Sequence, residues 1–197
     1  MIRTRNAAQR RFASGMAAVC LWVGWGVCCP AAEVHSEDSV KAAFIFRFAG
    51  YVEWPREADA SQPFTIAVMG SGDIVMRLQT LALNRTLHNR PVKVRRVSGM
   101  RDVADAQVLY ISPQHRADLK NLVSTAGRKA ILVITDEEQG LDSGSSINLL
   151  MVDRRVRFEV STEAAQRAGL AVSSELLSVA TRVQGGRSPQ PPPMSSR

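Results

Sequence analysis

The sequence predicts an α/β fold: a single-domain sandwich in which a mixed, partly parallel sheet is flanked by helices and closes with a C-terminal β-hairpin and helices. Three observations predict it. Phe64–Met69, Val108–Ile111 and Ala130–Thr135 are short apolar runs without polar alternation, the pattern of strands buried on both faces. The stretches 74–83 and 114–126 have helical length and helical stop signals, which gives the succession strand, helix, strand, strand, helix, strand. Ile147–Val152 and Arg155–Val160 then flank Asp153-Arg154, an even loop that pairs Met151 with Val156, Leu149 with Phe158 and Ile147 with Val160.

The chain begins with a segment of different composition. Arg3, Arg5, Arg10 and Arg11 precede the uncharged apolar stretch Met16–Val27, and Ala31-Ala32 supplies a small-residue exit, the order of a secretory signal peptide over residues 1–32. A retained membrane anchor is the weaker reading. Gly24, Gly26 and Pro30 interrupt the apolar run, and the next charges, Glu33, Glu37 and Asp38, are acidic rather than a basic stop. Cleavage therefore predicts a periplasmic protein with no direct membrane insertion. A lipidated Cys28 or Cys29 is a further alternative, although neither has the usual Leu three positions upstream.

With 25 Lys and Arg against 18 Asp and Glu the whole chain is basic. Setting aside the four arginines of the leader and Arg187 and Arg197 of the tail leaves nineteen basic residues against eighteen acidic ones. A domain so nearly neutral lacks the footprint of a nucleic-acid binder. Cys20, Cys28 and Cys29 all fall in the leader, so the domain at 36–183 holds by its core rather than by disulfides.

Ser36 or Ser39 caps the first helix, and Glu37 and Asp38 suit the positive end of its dipole. Its body, Val40–Val52, is apolar nearly all round. Val40, Phe44, Phe48 and Tyr51 form one stripe, which Ile45 and Val52 widen, so most of its surface is buried. Trp54-Pro55 ends it, because the residue before proline avoids helical angles. After Phe64–Met69, Gly70-Ser71-Gly72 is a tight turn with Asp73 capping the helix at 74–83. The two glycines are half of a dinucleotide fingerprint, but Val75 stands at the third glycine position and Lys93–Arg96 where an acidic residue is needed. Residues 84–90 are polar and turn-like, and Pro91–Val97 alternates as a half-exposed strand. Ser112-Pro113 opens the helix at 114–126, which Gly127 closes. Asp136–Ser146 is a long acidic loop, read as a solvated connector, and 184–197 is read as a disordered tail.

The hairpin puts six apolar side chains on one face, while Asn148 opposite Glu159 and Leu150 opposite Arg157 make a polar outer face. Arg154 suits the positive φ of a two-residue turn poorly, which favours a loop one residue longer at each end. Ser161 or Thr162 caps a helix at 163–168 that stops at Gly169, and Ser173 or Ser174 caps another with Leu176, Leu177, Ala180 and Val183 as its apolar stripe. Within this stretch V-R-F-E-V-x-x-x-A-A-x-R-A-G-L-x-V-S-S-x-L-L, together with V-K-A-A-F-I-F-R-F-A-G-Y-V-E-W-P at 40–55, resembles the YfiR family of exported regulatory proteins. The resemblance covers about Val40–Val183.

What the resemblance implies is regulation by binding: a periplasmic protein, not an enzyme, that holds the periplasmic domain of an inner-membrane diguanylate cyclase inactive and so lowers cyclic di-GMP and biofilm formation. For several members it also implies a cysteine pair tying folding to redox state. Ala67 and Ala106 stand where such a pair would be sought, so that control is not carried over. The residues themselves suggest a partner surface of Phe46 and Trp54 from the first helix, Leu150, Arg157 and Glu159 from the outer hairpin face, and Leu176 from the last helix. Core packing is the plainer role for the helix aromatics, and a homodimer stays open. The rival function is a small-ligand-binding domain with a pocket at the strand ends formed by Ser71, Asp73, Ser112 and Asp136. His35, His88 and His115 have no metal spacing and no Gly-x-Ser-x-Gly elbow occurs. Neither catalysis nor a cofactor is therefore expected.

The mature chain is expected to begin between Ala32 and Val34. Intact-mass measurement of the exported protein decides this, and an unprocessed Met1 or a lipid on Cys28 or Cys29 overturns it.

Overall fold

Runs too apolar to face water on either side set the sheet, and the helices are where the remaining apolar stripes find cover. In the computed structural model the described residues are 36–55, 61–70, 72–126 and 129–185, and all of them belong to one compact unit. The leader with its cysteines and His35, as well as Ser71, Gly127 and the tail beyond Gly185, lie outside them. In chain order the elements are α1 (Glu37–Gly50), β1 (Val52–Glu53), β2 (Phe64–Met69), α2 (Gly72–Ala82), β3 (Thr86–Leu87), β4 (Arg90–Arg96), β5 (Val108–Ile111) and α3 (Leu119–Ala126). There follow β6 (Leu132–Thr135), β7 (Ile147–Val152), β8 (Arg155–Ser161), α4 (Thr162–Arg167), β9 (Ala171–Val172), α5 (Ser174–Ser178) and β10 (Arg182–Gln184).

Eight strands form a mixed sheet in the order β10-β8-β7-β6-β5-β2-β4-β3, and β1 pairs with β9 in a separate two-stranded ribbon. The strands β4, β2, β5, β6 and β7 run parallel, with antiparallel β3 at one edge and the β8/β10 pair at the other. Successive residues of the central strands face opposite sides, so two cores form. Ile66, Val68, Val108, Tyr110, Leu132 and Ile134 pack with Ile45 and Phe48 of α1 and Leu78 of α2. Ala67, Met69, Leu109, Ile111 and Val133 pack with Leu119, Leu122 and Ala126 of α3 on the other side. Ala67 and Ala106, the positions at which a cysteine pair was sought, are small apolar members of this second core.

The hairpin pairs in the expected register, Ile147 with Val160 through to Val152 with Arg155. Its loop is two residues after all. Asp153 (φ 48°) and Arg154 (φ 59°) both adopt the left-handed conformation that a type I′ turn demands, so the strand register overrides the poor fit of arginine. The outer face, in contrast, is not solvated where expected. Asn148 and Glu159 are buried, because β10 lies beside β8 and the chain at 136–146 folds back over this face. The Asn148 amide donates to the Glu137 carbonyl (2.7 Å) and to Glu159 Oε1 (3.0 Å), while its Oδ1 accepts from the Glu137 N–H (3.1 Å) and lies 2.7 Å from the Thr135 hydroxyl. Arg182 of β10 completes the chain by pairing with Glu159 Oε2 at 3.0 Å. The acidic loop is thus no solvated connector: Gly140, Leu141, Ser145 and Ser146 are buried within it.

Other departures have similar tertiary causes. The first helix stops at Gly50, short of Trp54, because Val52 and Glu53 pair with Val172 and Ala171 instead. Asp73 sits in the first turn of α2, not at its cap, since the helix already begins at Gly72. Residues 84–90 hold a small hairpin, β3 with β4, turned by His88 and Asn89 at positive φ. The expected helix at 114–126 is broken into a 3-10 segment, Pro113–Asp118, kinked at His115, and α3, whose Leu119, Leu122 and Ala126 face the sheet. Finally, α5 is five residues long and Val183 leaves it for β10. The Thr181 N–H bonds to the Phe158 carbonyl (2.8 Å) and recruits this last segment to the edge of β8, so the fold runs to Gln184, one residue past the expected boundary.

Gly140 lies so close beneath Asn148 and Thr135 that an added Cβ would overlap both polar side chains. Gly140→Ala is expected to cost about 1–3 kcal/mol through overpacking, read as a lowered urea midpoint. An unchanged midpoint overturns the claim that the loop is clamped there.

Candidate functional site

The turns that follow the parallel strands do come together at their carboxyl ends. Ser112 directly follows β5 and Asp136 directly follows β6, and a Cβ on Gly70, after β2, would lie 3.0 Å from Ser112 Cβ and 3.6 Å from Tyr110 Cε1. Asp73 is exposed in the first turn of α2, and Ser71 is among the residues not described. What fills the convergence point is Lys41 of α1. It is 7 % exposed, and its ammonium pairs with both Asp136 and Glu37. The Tyr110 hydroxyl donates to Asp136 Oδ2 at 3.3 Å.

The electrostatics make this cluster a clamp. Burial pulls the Lys41 pKa down, but Asp136 and Glu37 more than offset it, and the ammonium is held above its ordinary value. Burial, reinforced by the Asp136 carboxylate, pushes the Tyr110 phenol far upward. Near neutral pH the site therefore presents a fixed cation and a neutral phenol, neither poised to take a proton. Ser112 Oγ is buried with no hydrogen-bond partner among the described residues. Sequence reading passed over Lys41, although its signal was there: one lysine in an otherwise apolar helix segment, four residues after Glu37.

The proposed partner residues are dispersed. Phe46 is half-buried under the Arg85 guanidinium, 5.6 Å from its ring centroid. Trp54 is also half-buried, edge-on to Phe64 (5.1 Å) and His88 (5.3 Å), and its indole N–H finds no acceptor among the described residues. His88 is thus tied to the core, with a ring nitrogen 2.8 Å from the Ala49 carbonyl. Leu150 is half-buried and Arg157 exposed across the hairpin. Leu176 (4 % exposed) and Glu159 (6 %) are core and network residues, not accessible surface, because α5 and β10 pack down beside β8.

A different concavity joins one of these residues to others that were not singled out. A groove of about 580 Å³ runs between α1 and the hairpin tip, lined by Val40, Phe44 and Val156 below and by Met151, Arg154, Arg155 and Arg157 around them, with Glu37 at its end. Met151 and Val152 are the exposed apolar residues of this tip, at 46 % and 40 %. Among the described residues no carboxylate pairs with any of the three arginines of the groove.

A family model described as YfiR/HmsC-like matches residues 38–181. No curated protein matches the sequence. Among solved structures, a conserved domain protein from Vibrio cholerae O1 biovar eltor is similar with a TM-score of 0.52 at 11 % identity, over 75 % of this chain and 60 % of that one. The chain thus spans about three fifths of that neighbour's length, and the likeness shows the α/β fold alone. An ABC domain in complex with L-Trp from Streptococcus pneumonia, 12 % identical over 61 % of this chain and 55 % of that one, has a TM-score of 0.47 and carries no argument.

Because the Lys41 and Tyr110 pKa values are both raised by folding, their contributions are complete below pH about 10 and are lost as pH climbs past it. Wild-type protein is therefore expected to lose stability between pH 7 and roughly 10.5, and Tyr110→Phe to lose distinctly less, because it removes one of the two groups. Urea midpoints at the two pH values decide this; equal losses would falsify the clamp.

Proposed function

The chain belongs to the YfiR/HmsC-like family, and from that premise we propose that it is an exported regulatory binding protein that represses an inner-membrane diguanylate cyclase through the cyclase's periplasmic domain, lowering cyclic di-GMP. The observation that carries this reading is the extent of the family match, from the second residue of α1 through Thr181, which takes in both long motifs. In this reading residues 1–32 are removed on export, 36–183 are the working domain and 184–197 the tail, and no helix among the described residues is long and apolar enough to cross a membrane.

The internal chemistry supports binding through the surface. A pocket for a small ligand belongs at the strand ends, and there Lys41, Asp136 and Glu37 satisfy one another. That arrangement leaves the ligand-binding alternative of Ser71, Asp73, Ser112 and Asp136 the weaker one. On the surface, Phe46, Trp54, Leu150 and Arg157 are the accessible candidates for partner contact. Glu159 and Leu176 act from beneath, by holding β10 and α5 in place.

Expression of the full chain in a bacterium carrying such a cyclase is expected to lower cellular cyclic di-GMP, and expression without residues 1–32 to leave it unchanged. Cyclic di-GMP measured by mass spectrometry checks both arms. Equal levels with and without the full chain overturn the repressor reading.

A further inference from the structure

We propose that the groove between α1 and the edge of β8 receives an extended segment of the partner protein in which apolar and acidic side chains alternate. The proposal rests on the regulatory reading above and says where, and by what chemistry, the partner is held. It follows from three features that coincide at one place. β8 is covered on its outer edge by β10 only at Glu159–Ser161, so the edge at Arg155–Arg157 has no neighbouring strand among the described residues. In the antiparallel register Met151 and Val156 form a non-hydrogen-bonded pair, since pairing alternates outward from the two-residue turn; the Val156 N–H and C=O therefore point away from β7, toward that open edge. An added strand finds there a donor and an acceptor already aimed at it.

The side chains beside this edge set the composition of such a strand. On one face Val156 packs next to Val40 and Phe44 to give an apolar floor. On the opposite face Arg155 and Arg157, alternating with Val156, project as exposed cations, and Arg154 stands at the turn. Successive residues of an incoming strand face opposite sides, so every second one meets the apolar floor and those between meet guanidinium groups. Arginine's planar fork suits carboxylates in particular. Glu37, the one acidic residue among the described residues of the lining, is paired with Lys41, which weakens its repulsion of them. The concavity favours a protein segment over a lipid surface, which would need a convex, protruding contact.

Arg154 adds an independent indication. It holds φ 59° at a turn position that glycine or asparagine fills with less strain. Arg154→Gly is accordingly expected to fold at least as stably as wild type and yet to bind more weakly.

The test places a photo-crosslinking amino acid at Met151 of the full chain in its own host and maps the crosslinked peptide by mass spectrometry. The expected product is a segment of another protein with alternating carboxylate and apolar residues. Arg155→Glu with Arg157→Glu is expected to cut the yield about tenfold or more at an unchanged melting temperature, since these arginines hold no ion pair among the described residues, and reversal of the partner's carboxylates to lysine is expected to restore it. A crosslink to lipid, to a second copy of this chain or to a segment without carboxylates overturns the proposal, as does no crosslink or one indifferent to the double charge reversal. Cyclic di-GMP in the same cells separates the two ideas. If the double variant still lowers it, the groove is wrong and the repressor reading stands; if wild type never lowers it while the charge-reversal result holds, the groove stands and the repressor reading falls.

Discussion

One side-chain amide, that of Asn148, fixes the relation between four parts of the chain. Its oxygen and nitrogen engage the N–H and C=O of Glu137 as a strand partner would, so the turn leaving β6 is held against β7 without being a strand. From the same amide a second donor reaches Glu159 on β8, and through Glu159 the contact extends to Arg182 on β10. A buried network of this kind stabilises only when its members are all satisfied. Each residue in it constrains the others: Thr135 and Ser145, 2.9 Å apart, close the loop, and Gly140 must lack a side chain for that closure to fit.

Where a property depended on residues near in sequence, it was legible in the sequence. The apolar runs gave the central strands, the even loop gave the hairpin register to the residue, and Ser161, Ser173 and Gly169 cap and stop their helices as read. What escaped was set by distant partners. Nothing local distinguishes Val183 at the end of a helical stripe from Val183 in a strand; the free edge of β8 decides it. Likewise Asn148 opposite Glu159 reads as a polar exterior until β10 and the 136–146 loop cover it. The candidate site was legible only in part: the convergence of Ser112 and Asp136 followed from topology, but its occupation by Lys41 required knowing which face of α1 meets the strand ends.

The two polar centres divide the labour of the sheet. The Lys41–Asp136–Glu37 cluster ties α1 to the carboxyl ends of the parallel strands, and the Asn148 network ties the hairpin to the loop on the opposite face. A buried ammonium flanked by two carboxylates is costly to separate, because removing either partner leaves charge in a poorly solvated site. Such sealing consumes the position at which open α/β sheets ordinarily hold ligands. On the proposed reading recognition falls to the outer surface, where Arg154, Arg155 and Arg157 have no carboxylate partner among the described residues.

Both sheet edges bear on how that surface stays available. β3 is two residues long and closed by its turn, which gives a second chain little to pair with. At the opposite edge β10 shields only the last three of the seven residues of β8, and the uncovered part carries Arg155 and Arg157. Two copies meeting there would bring like charges together, and like charges opposed across a strand pair are destabilising. The same guanidinium groups attract a segment that brings carboxylates. Guanidinium groups that oppose a second copy and attract carboxylates are thus one physical arrangement seen from two sides, and it is the arrangement that the proposed acidic strand requires.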